Sequence, residues 1–483
     1  MHGALVNLPD ISGNDEEVKK CLSGDRSNLY ASISNISVKK IQSSFGIALH
    51  MHQPTIPAET PDLRTAGLIS NLQYMMEHQY IHDNHNAPVF LRCYSRMSDF
   101  IRELVHQKRN PRIMLDYSGN LLWGLEQIDN GNALEKLKLI TTDKKYYRYT
   151  EWLGTMWSHA VVSSTPIPDI ELHIRAWQEH FSFIFGCDAL KRVRGFSPPE
   201  MHLPIHPDVC FEYVKTLKKC GYLWLMVQEH TIENIDGTGI RRPHFPHRLI
   251  AKNSLGNTEE ITALIKTQGS DTKLVGQMQP YYEAKSRNPE EYCGKIVPPY
   301  VLQISDGENG GVMMNEFPPK YKEAMMEIGK EGVVAMNVSE YLELLRDEIG
   351  IDEKDFIPVQ PVSQRKIWEF VKDYSPGAVD RAIDEAKKKY GGFNLDKGSW
   401  TNDKNWIRGY EHILDPINKL SVEFHKCFDG ASIDRKSKLY KQALLYLLLS
   451  ETSCFRYWGS GLWTDYAKEI CARGMEAIKK ANK

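Results

Sequence analysis

Between residue 43 and about residue 336, short apolar runs alternate with longer stretches of helical periodicity. The runs predict strands over 44–50, 112–117, 193–197, 222–227, 273–278, 300–305 and 332–336. Helical patterns lie between several of them, as in 90–107 and 170–186. Strands that alternate with helices favour a parallel sheet with crossover helices. Seven strands over about 300 residues predict a closed or nearly closed β/α barrel.

The pattern changes after residues 357–364, "IPVQPVSQ". Beyond them the apolar spacing is helical, and no strand or internal repeat is predicted. The first 42 residues are polar and weakly patterned. We therefore predict an N-terminal extension over 1–42, a catalytic (β/α)7-type barrel over 43–356 and a C-terminal helical domain over 357–483 that contributes to the cleft.

Composition and charge narrow the class of protein. Hydrophobic residues make up 41% of the 483 residues and the formal net charge is −2, which favours neither nucleic acid nor an anionic membrane as a partner. Nine cysteines without a CxxC spacing predict reduced thiols and a cytoplasmic location. The longest apolar run, at 443–449, is too short to cross a bilayer. Ten tryptophans and 23 tyrosines would suit a protein that stacks on sugar rings, although many aromatic residues fill cores.

Polar side chains follow five of the seven predicted strands. They are His50, His52 and Gln53, then Asp116, then Glu200 and His202, then His230, and finally Asp306 and Glu308. In a parallel barrel the carboxyl ends of the strands meet at one face, where active sites are built. We therefore expect these side chains to line one site.

Three kinds of chemistry remain open for such a site. The spacing of His50 and His52 is compatible with a metal-dependent, deacetylase-like hydrolase, but the residue that follows is Gln53, which is a poor zinc ligand. No GxSxG motif occurs, and no cysteine adjoins a histidine in the sequence. Glu200 and Asp306 form a candidate pair of carboxylates, which can divide the work of glycosidic bond cleavage between a nucleophile and an acid. This last interpretation is the preferred one.

Five segments of the chain resemble the signatures of glycoside hydrolase family 57. They are "HMHQP" (50–54), "WSHAVVSSTPIPDIELHIRAW" (157–177), "GFSPPE" (195–200), "SDGENGG" (305–311) and "ETSCFRYWG" (451–459). The resemblance implies an incomplete seven-stranded (β/α) barrel followed by helices. It also implies retaining chemistry on α-glucans without a metal or other cofactor, with Glu200 as nucleophile and Asp306 as general acid/base.

The same resemblance assigns further residues to the sugar site. His50, His52, Gln53, His159 and Trp458 match family positions that line the cleft. Their position at strand ends adds Asp116, His202, His230 and Glu308 as predicted substrate-binding residues. The expected substrate is an oligosaccharide or polysaccharide, with hydrolysis slightly ahead of transfer. The alternatives are a 4-α-glucanotransferase or branching enzyme, a carbohydrate-binding pseudo-enzyme, and the metal-dependent hydrolase.

Overall fold

The computed structural model describes residues 8–58, 60–128, 131–267, 273–308, 316–395, 406–430, 433–457 and 460–481. Its strands are β1 (Ser43–Met51), β2 (Thr55–Ala58), β3 (Gly67–Ser70), β4 (Ile113–Tyr117), β5 (Thr150–Gly154), β6 (Gly195–Phe196), β7 (Trp224–Gln228), β8 (Ile232–Asn234), β9 (His247–Lys252), β10 (Thr258–Lys266), β11 (Glu290–Tyr292), β12 (Lys295–Val297), β13 (Tyr300–Asp306), β14 (Val333–Ala335) and β15 (Ile357–Pro361).

The α-helices surround this sheet and continue to the C-terminal end of the described chain. They are α1 (Asp15–Leu22), α2 (Asn71–Glu77), α3 (Ala87–His106), α4 (Gly119–Gln127), α5 (Asn132–Thr142), α6 (Ile167–Phe185), α7 (Cys187–Arg192), α8 (Pro207–Lys219), α9 (Lys273–Gly276), α10 (Gln279–Lys285), α11 (Phe317–Glu327), α12 (Val338–Leu344), α13 (Gln364–Trp368), α14 (Ala378–Lys389), α15 (Glu411–Phe428), α16 (Lys438–Ser450), α17 (Cys454–Tyr457) and α18 (Leu462–Ala481).

Seven parallel strands form a barrel in the order β13-β1-β4-β5-β6-β7-β10. The ring closes where Lys266 of β10 pairs with Leu302 of β13. This contact is a single residue pair. By comparison, β1 and β13 pair along their length, from Ser44 and Tyr300 to His50 and Asp306. The predicted fold class, an incomplete seven-stranded (β/α) barrel followed by a C-terminal helical region, is confirmed.

Two strands of the ring differ from the prediction. The predicted strand over 273–278 is wrong, since α9 occupies 273–276. The strand at that place in the ring is β10, whose first three residues are exposed or half-buried because they extend past the barrel to pair with β9. The short β5 was also not predicted. The predicted strand over 332–336 exists as β14, but it pairs with the start of β1 and lies outside the ring.

Side chains along the barrel strands alternate between the interior and the surrounding helices, as the two-residue period of a strand requires. One buried cluster contains the interior residues Ala48, Met114, Leu153, Trp224, Leu264 and Leu302. Their chain neighbours Ile47, Leu115, Trp152, Leu225, Ala263 and Val301 belong to a second cluster that includes the helices. The alternation therefore identifies which positions face the barrel axis.

The N-terminal segment is tied to the barrel by buried polar contacts. The carboxylate of Glu343 accepts the backbone N–H groups of Tyr30 and Ala31, at 2.7 Å each, and forms an ion pair with Arg194. A disulfide joins Cys21 of α1 to Cys187 of α7. The expectation of reduced thiols is therefore wrong for these two cysteines, and a cytoplasmic location stays a prediction.

The part of the chain after β15 that the structure describes is helical, with the pair α16 and α18 packed on each other and on α15. Leu445, Leu447 and Leu449 of α16 are fully buried in the main core. The predicted domain boundaries stay predictions. Among the described residues, no helix is both long enough and apolar enough to cross a membrane.

Candidate active site

A polar residue at an interior-facing position lies at or directly after the end of each of the seven barrel strands. The register pairs His50 with both Asp116 and Asp306 and pairs Lys266 with Gln228. The same alternation places Thr155 and Ser197, which directly follow β5 and β6, on the interior side. These residues form what we call the polar ring: His50, Asp116, Thr155, Ser197, Gln228, Lys266 and Asp306.

His50 and Asp116 form the best-defined pair in the polar ring. His50 Nδ1 lies 2.9 Å from Asp116 Oδ2, and the two residues are 7% and 1% exposed. Burial alone would lower the pKa of His50. The negative charges of Asp116, Asp306 and Glu308 outweigh it and raise this pKa to about 9. His50 is therefore an imidazolium at neutral pH, and the three carboxyl groups lie near enough to influence it.

His52 and His159 stack face to face beside His50. The centroid of the His159 ring lies 4.3 Å from that of His52 and 4.6 Å from that of His50. Burial and the neighbouring histidines hold the pKa values of His52 and His159 well below their ordinary range. Both rings are therefore neutral, unlike that of His50. The three histidines, which come from two separate motifs, thus lie side by side, and their role in binding a sugar stays a prediction.

The segment between α16 and α17 fixes two of these histidines. Ser453 Oγ lies 2.6 Å from His159 Nδ1, and Cys454 Sγ lies 3.3 Å from His52 Nε2. His52 Nδ1 is held by Ser118 Oγ at 2.8 Å. The C-terminal helical region thus contributes side chains to the wall of the candidate site. Trp458, which was also predicted there, lies outside the described residues.

Glu308 lies directly behind the polar ring. Its Oε1 accepts the backbone N–H of His52 at 3.1 Å, and the neighbouring Gly307 donates its N–H to the His50 carbonyl at 2.8 Å. Burial and the charge of Asp306 raise the pKa of Glu308 to about 7, against the opposing effect of His50. Glu308 can therefore hold a proton near neutral pH beside Asp306.

Glu200 lies on the far side of the barrel mouth from Asp306. In the ring, two strands separate β6 from β13 on one side and three on the other. Glu200 is 9% exposed and adopts a left-handed conformation with φ 59° and ψ 18°. Such a backbone costs of order 1–3 kcal/mol in a residue other than glycine and occurs where surrounding structure imposes it. Pro198 and Pro199 restrict the chain just before this bend.

The other predicted site residues differ in their surroundings. His202 is 2% exposed, and burial lowers its pKa to about 3. Gln53 accepts a hydrogen bond from Asn71 Nδ2 at 3.0 Å. His230 is an exposed residue on the short turn Glu229–Thr231 that follows β7. His230 thus differs from the buried polar groups of the site.

Several buried polar atoms around the ring have no hydrogen-bond partner within the described part of the chain. They are Asp116 Oδ1, Thr155 Oγ1, His159 Nε2, Ser197 Oγ, both ring nitrogens of His202, and Gln228 Oε1. Buried polar groups without a partner are rare and costly. A concentration of them at one end of a barrel is what a site for a ligand with many hydroxyl groups requires.

Sequence reasoning missed Lys266, the ring residue that follows Leu264 and Ile265. It is 2% exposed, and burial lowers its pKa to about 8 although Glu229 opposes this. The alternating run "ITALIK" at 261–266 would have identified β10 and its final lysine. Ser197 and Gln228 also carry a signal, since each follows an apolar strand, but both are common surface residues.

The arrangement is a poor match to a metal site. His50 Nδ1 is engaged by Asp116 and His52 Nδ1 by Ser118. Within the described ranges there is no group of three or more His, Cys, Asp or Glu side chains placed to hold a metal ion. A histidine whose other nitrogen is bound to a carboxylate or hydroxyl can still be a metal ligand, so the poor match rests on the lack of such a group among the described residues.

Solved structures share this architecture. The chain superposes on a 4-α-glucanotransferase from Thermococcus litoralis with a TM-score of 0.54 and 17% identity, covering 91% of this chain and 58% of that one. It superposes on a GH57-type branching enzyme from Pyrococcus horikoshii with a TM-score of 0.54 and 13% identity, covering 91% and 88%. An α-amylase, AmyC, from Thermotoga maritima gives 0.51 and 12%, covering 92% of each chain.

This similarity is confined to structure. No protein-family model matches the sequence, and no curated protein matches it. At such low identity the superpositions establish the fold and leave the activity to be argued from the site. With seven barrel strands, a polar ring at their carboxyl ends and helices that close over it, the chain has the fold of the family 57 glycoside hydrolases.

Proposed function

We propose that the protein is a retaining glycoside hydrolase that cleaves α-glycosidic bonds in α-glucans or maltooligosaccharides. The observation that carries the proposal is the pair of acids in contrasting surroundings on opposite sides of the barrel mouth. Glu200 lies on a strained bend after β6, whereas Asp306 shares its surroundings with Glu308 and the imidazolium of His50. Different environments allow one carboxyl group to act as a nucleophile and the other as an acid.

In the proposed first step, the Glu200 carboxylate attacks the anomeric carbon and the glycosidic C–O bond breaks. Asp306 gives its proton to the departing oxygen, and a covalent glycosyl-enzyme forms. In the second step Asp306 takes a proton from water, which attacks the same carbon and releases Glu200. His50 stabilises the Asp306 carboxylate between these steps because its positive charge lies beside it. The raised pKa of Glu308 keeps a proton available to the acid pair near neutral pH.

The remaining polar groups suit sugar hydroxyls. We assign the unpartnered atoms of Asp116, His159, His202 and Gln228 to hydrogen bonds with the sugar at the cleavage point. Hydrolysis is proposed ahead of transfer to a second sugar, because the glycines that follow Asp306 in the sequence offer an acceptor sugar no aromatic side chain on which to stack. Solved structures with the same fold are named as glucanotransferase, branching enzyme and amylase, so either outcome is compatible with the fold.

Purified protein incubated with maltoheptaose tests the proposal. We expect shorter oligosaccharides with retained anomeric configuration, read by NMR at early times. Glu200→Ala should abolish turnover, and added azide should restore it by forming a glycosyl azide of inverted configuration. Asp99→Asn, an exposed carboxylate on α3, serves as the matched control. Normal turnover in Glu200→Ala without azide would refute the mechanism, and products longer than the substrate would favour transfer.

A further inference from the structure

A second cavity, which we call the seam cavity, lies where β10 and β13 meet through the single pair of Lys266 and Leu302. Gln303 of β13 and Thr267, which directly follows β10, line it together with residues of α10. Leu302 and Ile304 belong to the interior cluster, so the alternation along β13 directs Gln303 outward. The volume of about 640 Å³ lies within the range of about 300–1,000 Å³ that small-molecule sites occupy. The seam cavity is therefore separate from the polar ring and large enough for a ligand.

Gln303 presents a buried acceptor to the seam cavity. Its Nε2 donates to Thr267 Oγ1 at 2.9 Å and lies 3.3 Å from the Thr267 carbonyl oxygen. Because a carbonyl oxygen can only accept, these contacts fix which end of the amide is the donor. Gln303 is 3% exposed, and its Oε1 has no hydrogen-bond partner in the portion of the chain that the structure describes. A buried acceptor without a donor is costly, so this oxygen is suited to a ligand that donates.

His244 and Gln279 add two more acceptors to the same cavity. His244 Nε2 lies 3.2 Å from Glu283 Oε1, a carboxylate oxygen that accepts, so the ring proton is on Nε2. The other ring nitrogen, Nδ1, is then an acceptor. His244 is 7% exposed, and neither its Nδ1 nor Gln279 Oε1 has a partner among the residues with described positions. Three acceptors on one cavity oppose the binding of a phosphate or a carboxylate.

Arg287 opposes the binding of a cation to the seam cavity. Its Nη2 donates to Glu283 Oε1 at 2.9 Å, and the hydrogen bonds from His244 and Arg287 hold the pKa of Glu283 below its ordinary value despite burial. The Nε of Arg287 is a buried donor that lacks a partner within the ranges described. A hydroxyl group both donates and accepts. A ligand with several hydroxyl groups therefore satisfies the three acceptors and this donor together.

Tyr282 supplies an aromatic surface to the seam cavity. It follows the buried Tyr281 on α10, yet it is 45% exposed. Tyrosine combines a flat apolar ring with a polar hydroxyl, and a sugar likewise has apolar ring faces and a rim of hydroxyl groups. An exposed aromatic ring beside buried acceptors is thus complementary to a sugar on both counts.

We propose that the seam cavity is a second carbohydrate-binding site, which holds part of an α-glucan chain outside the barrel mouth. The sugar hydroxyl groups donate to Gln303, His244 and Gln279, and one face of the sugar ring lies on Tyr282. The choice of an α-glucan as the ligand rests on the proposed function. The presence of a sugar site here rests on the side chains of the cavity alone.

Binding of maltotriose, measured by calorimetry and by saturation-transfer NMR, tests the inference without any turnover. Tyr282→Ala removes the aromatic surface and Gln303→Leu removes the buried acceptor. Each should weaken binding at the seam cavity by about three- to tenfold. Tyr374→Ala, at a tyrosine that is 61% exposed elsewhere on the surface, is the matched control and should leave this binding unchanged. Glu200→Gln should also keep it, because Glu200 lies at the barrel mouth.

Crystals of Glu200→Gln soaked with maltotriose should show a sugar beside Tyr282, and thermal unfolding should show that each variant is folded. Weaker binding in both Tyr282→Ala and Gln303→Leu, with normal binding in Tyr374→Ala, supports the inference. Unchanged affinity and stoichiometry in the two folded seam variants overturns it, as does a cavity that binds spermidine or calcium but no maltotriose. Failure of the wild type to turn over maltoheptaose, with binding at the seam cavity intact, would refute the proposed function and not this inference.

Discussion

Replacement of Asp116 by asparagine removes the charge that contributes most to keeping His50 protonated. The pKa of His50 is raised from its ordinary value of 6.5 to about 9, with Asp116 as the largest raising influence against the effect of burial. This rise corresponds to about 3 kcal/mol of stabilisation. The pair is also a buried, charge-assisted hydrogen bond of 2.9 Å, and such a bond contributes about 1.5–3 kcal/mol. The two routes give similar magnitudes.

The sign of the effect defines the pH window. Because the folded protein holds the His50 proton more tightly than the unfolded chain does, the stabilisation is fully present below about pH 6.5. It is lost as the pH rises through about 9. Asp116→Asn should therefore lower the free energy of unfolding by about 2–3 kcal/mol at pH 6. The difference from the wild type should shrink steadily and be small at pH 10.

Urea unfolding at pH 6, 7, 8, 9 and 10 measures this difference, with the transition followed by tryptophan fluorescence and by circular dichroism. Asp99→Asn controls for the loss of a carboxylate, since Asp99 is about half exposed in an ordinary surface ion pair and should show no such dependence. A difference between wild type and Asp116→Asn that stays constant from pH 6 to pH 10 would refute the assignment of a protonated His50.

Three further predictions concern the framework. Cys21→Ser should lower the free energy of unfolding by about 3–5 kcal/mol, because the disulfide with Cys187 spans 166 residues; reduction of the wild type should reproduce the loss in the same denaturation assay. Gly195→Ala should lower the free energy of unfolding by about 1–3 kcal/mol or more, because a Cβ there would lie 2.0 Å from the Trp224 side chain. A crystal structure of this variant should show the bend at Glu200 displaced. Glu343→Gln should lower the free energy of unfolding by about 3–5 kcal/mol, because it leaves the buried Arg194 without its counter-ion. Limited proteolysis should then cleave the chain near residue 30 faster than in the wild type.

The fold and part of the candidate site could be predicted from the sequence, because buried barrel strands leave a recognisable pattern. Barrel strands bury both faces, so they stand out as apolar runs, and the polar residue that ends each run must lie at the carboxyl edge. His50, Asp116 and Asp306 were found by that rule, and the register now pairs His50 with both acids. Where a strand starts among polar and charged residues, as β10 does with Thr258, Glu259 and Glu260, the apolar run is harder to recognise, and Lys266 was missed.

Features set by pairing across the chain could not be predicted in this way. The proximity of Cys21 and Cys187 depends on α1 packing against α7, and neither cysteine lies in a spacing typical of a disulfide. The burial of Arg456, which is 1% exposed with its Nη2 bound to Ser164, likewise follows from packing between segments that are far apart in the sequence.

The two sides of the barrel mouth carry different charged groups, and the proposed double displacement depends on this difference. On the β1, β4 and β13 side, the imidazolium of His50 stands among Asp116, Asp306 and Glu308, and Glu308 has a pKa of about 7. A proton can therefore reside on that side at neutral pH and be returned after it is given away. On the β6 side, Glu200 lies across the mouth from these groups, on the bend that follows β6. Retaining chemistry needs two acids whose surroundings differ in this way. Because Glu308 lies beside Asp306 and not on the β6 side, Glu308→Gln should change the basic limb of the pH–rate profile and leave the acidic limb in place. If Glu308→Gln moved the acidic limb instead, the assignment of nucleophile and acid to opposite sides of the barrel would be wrong.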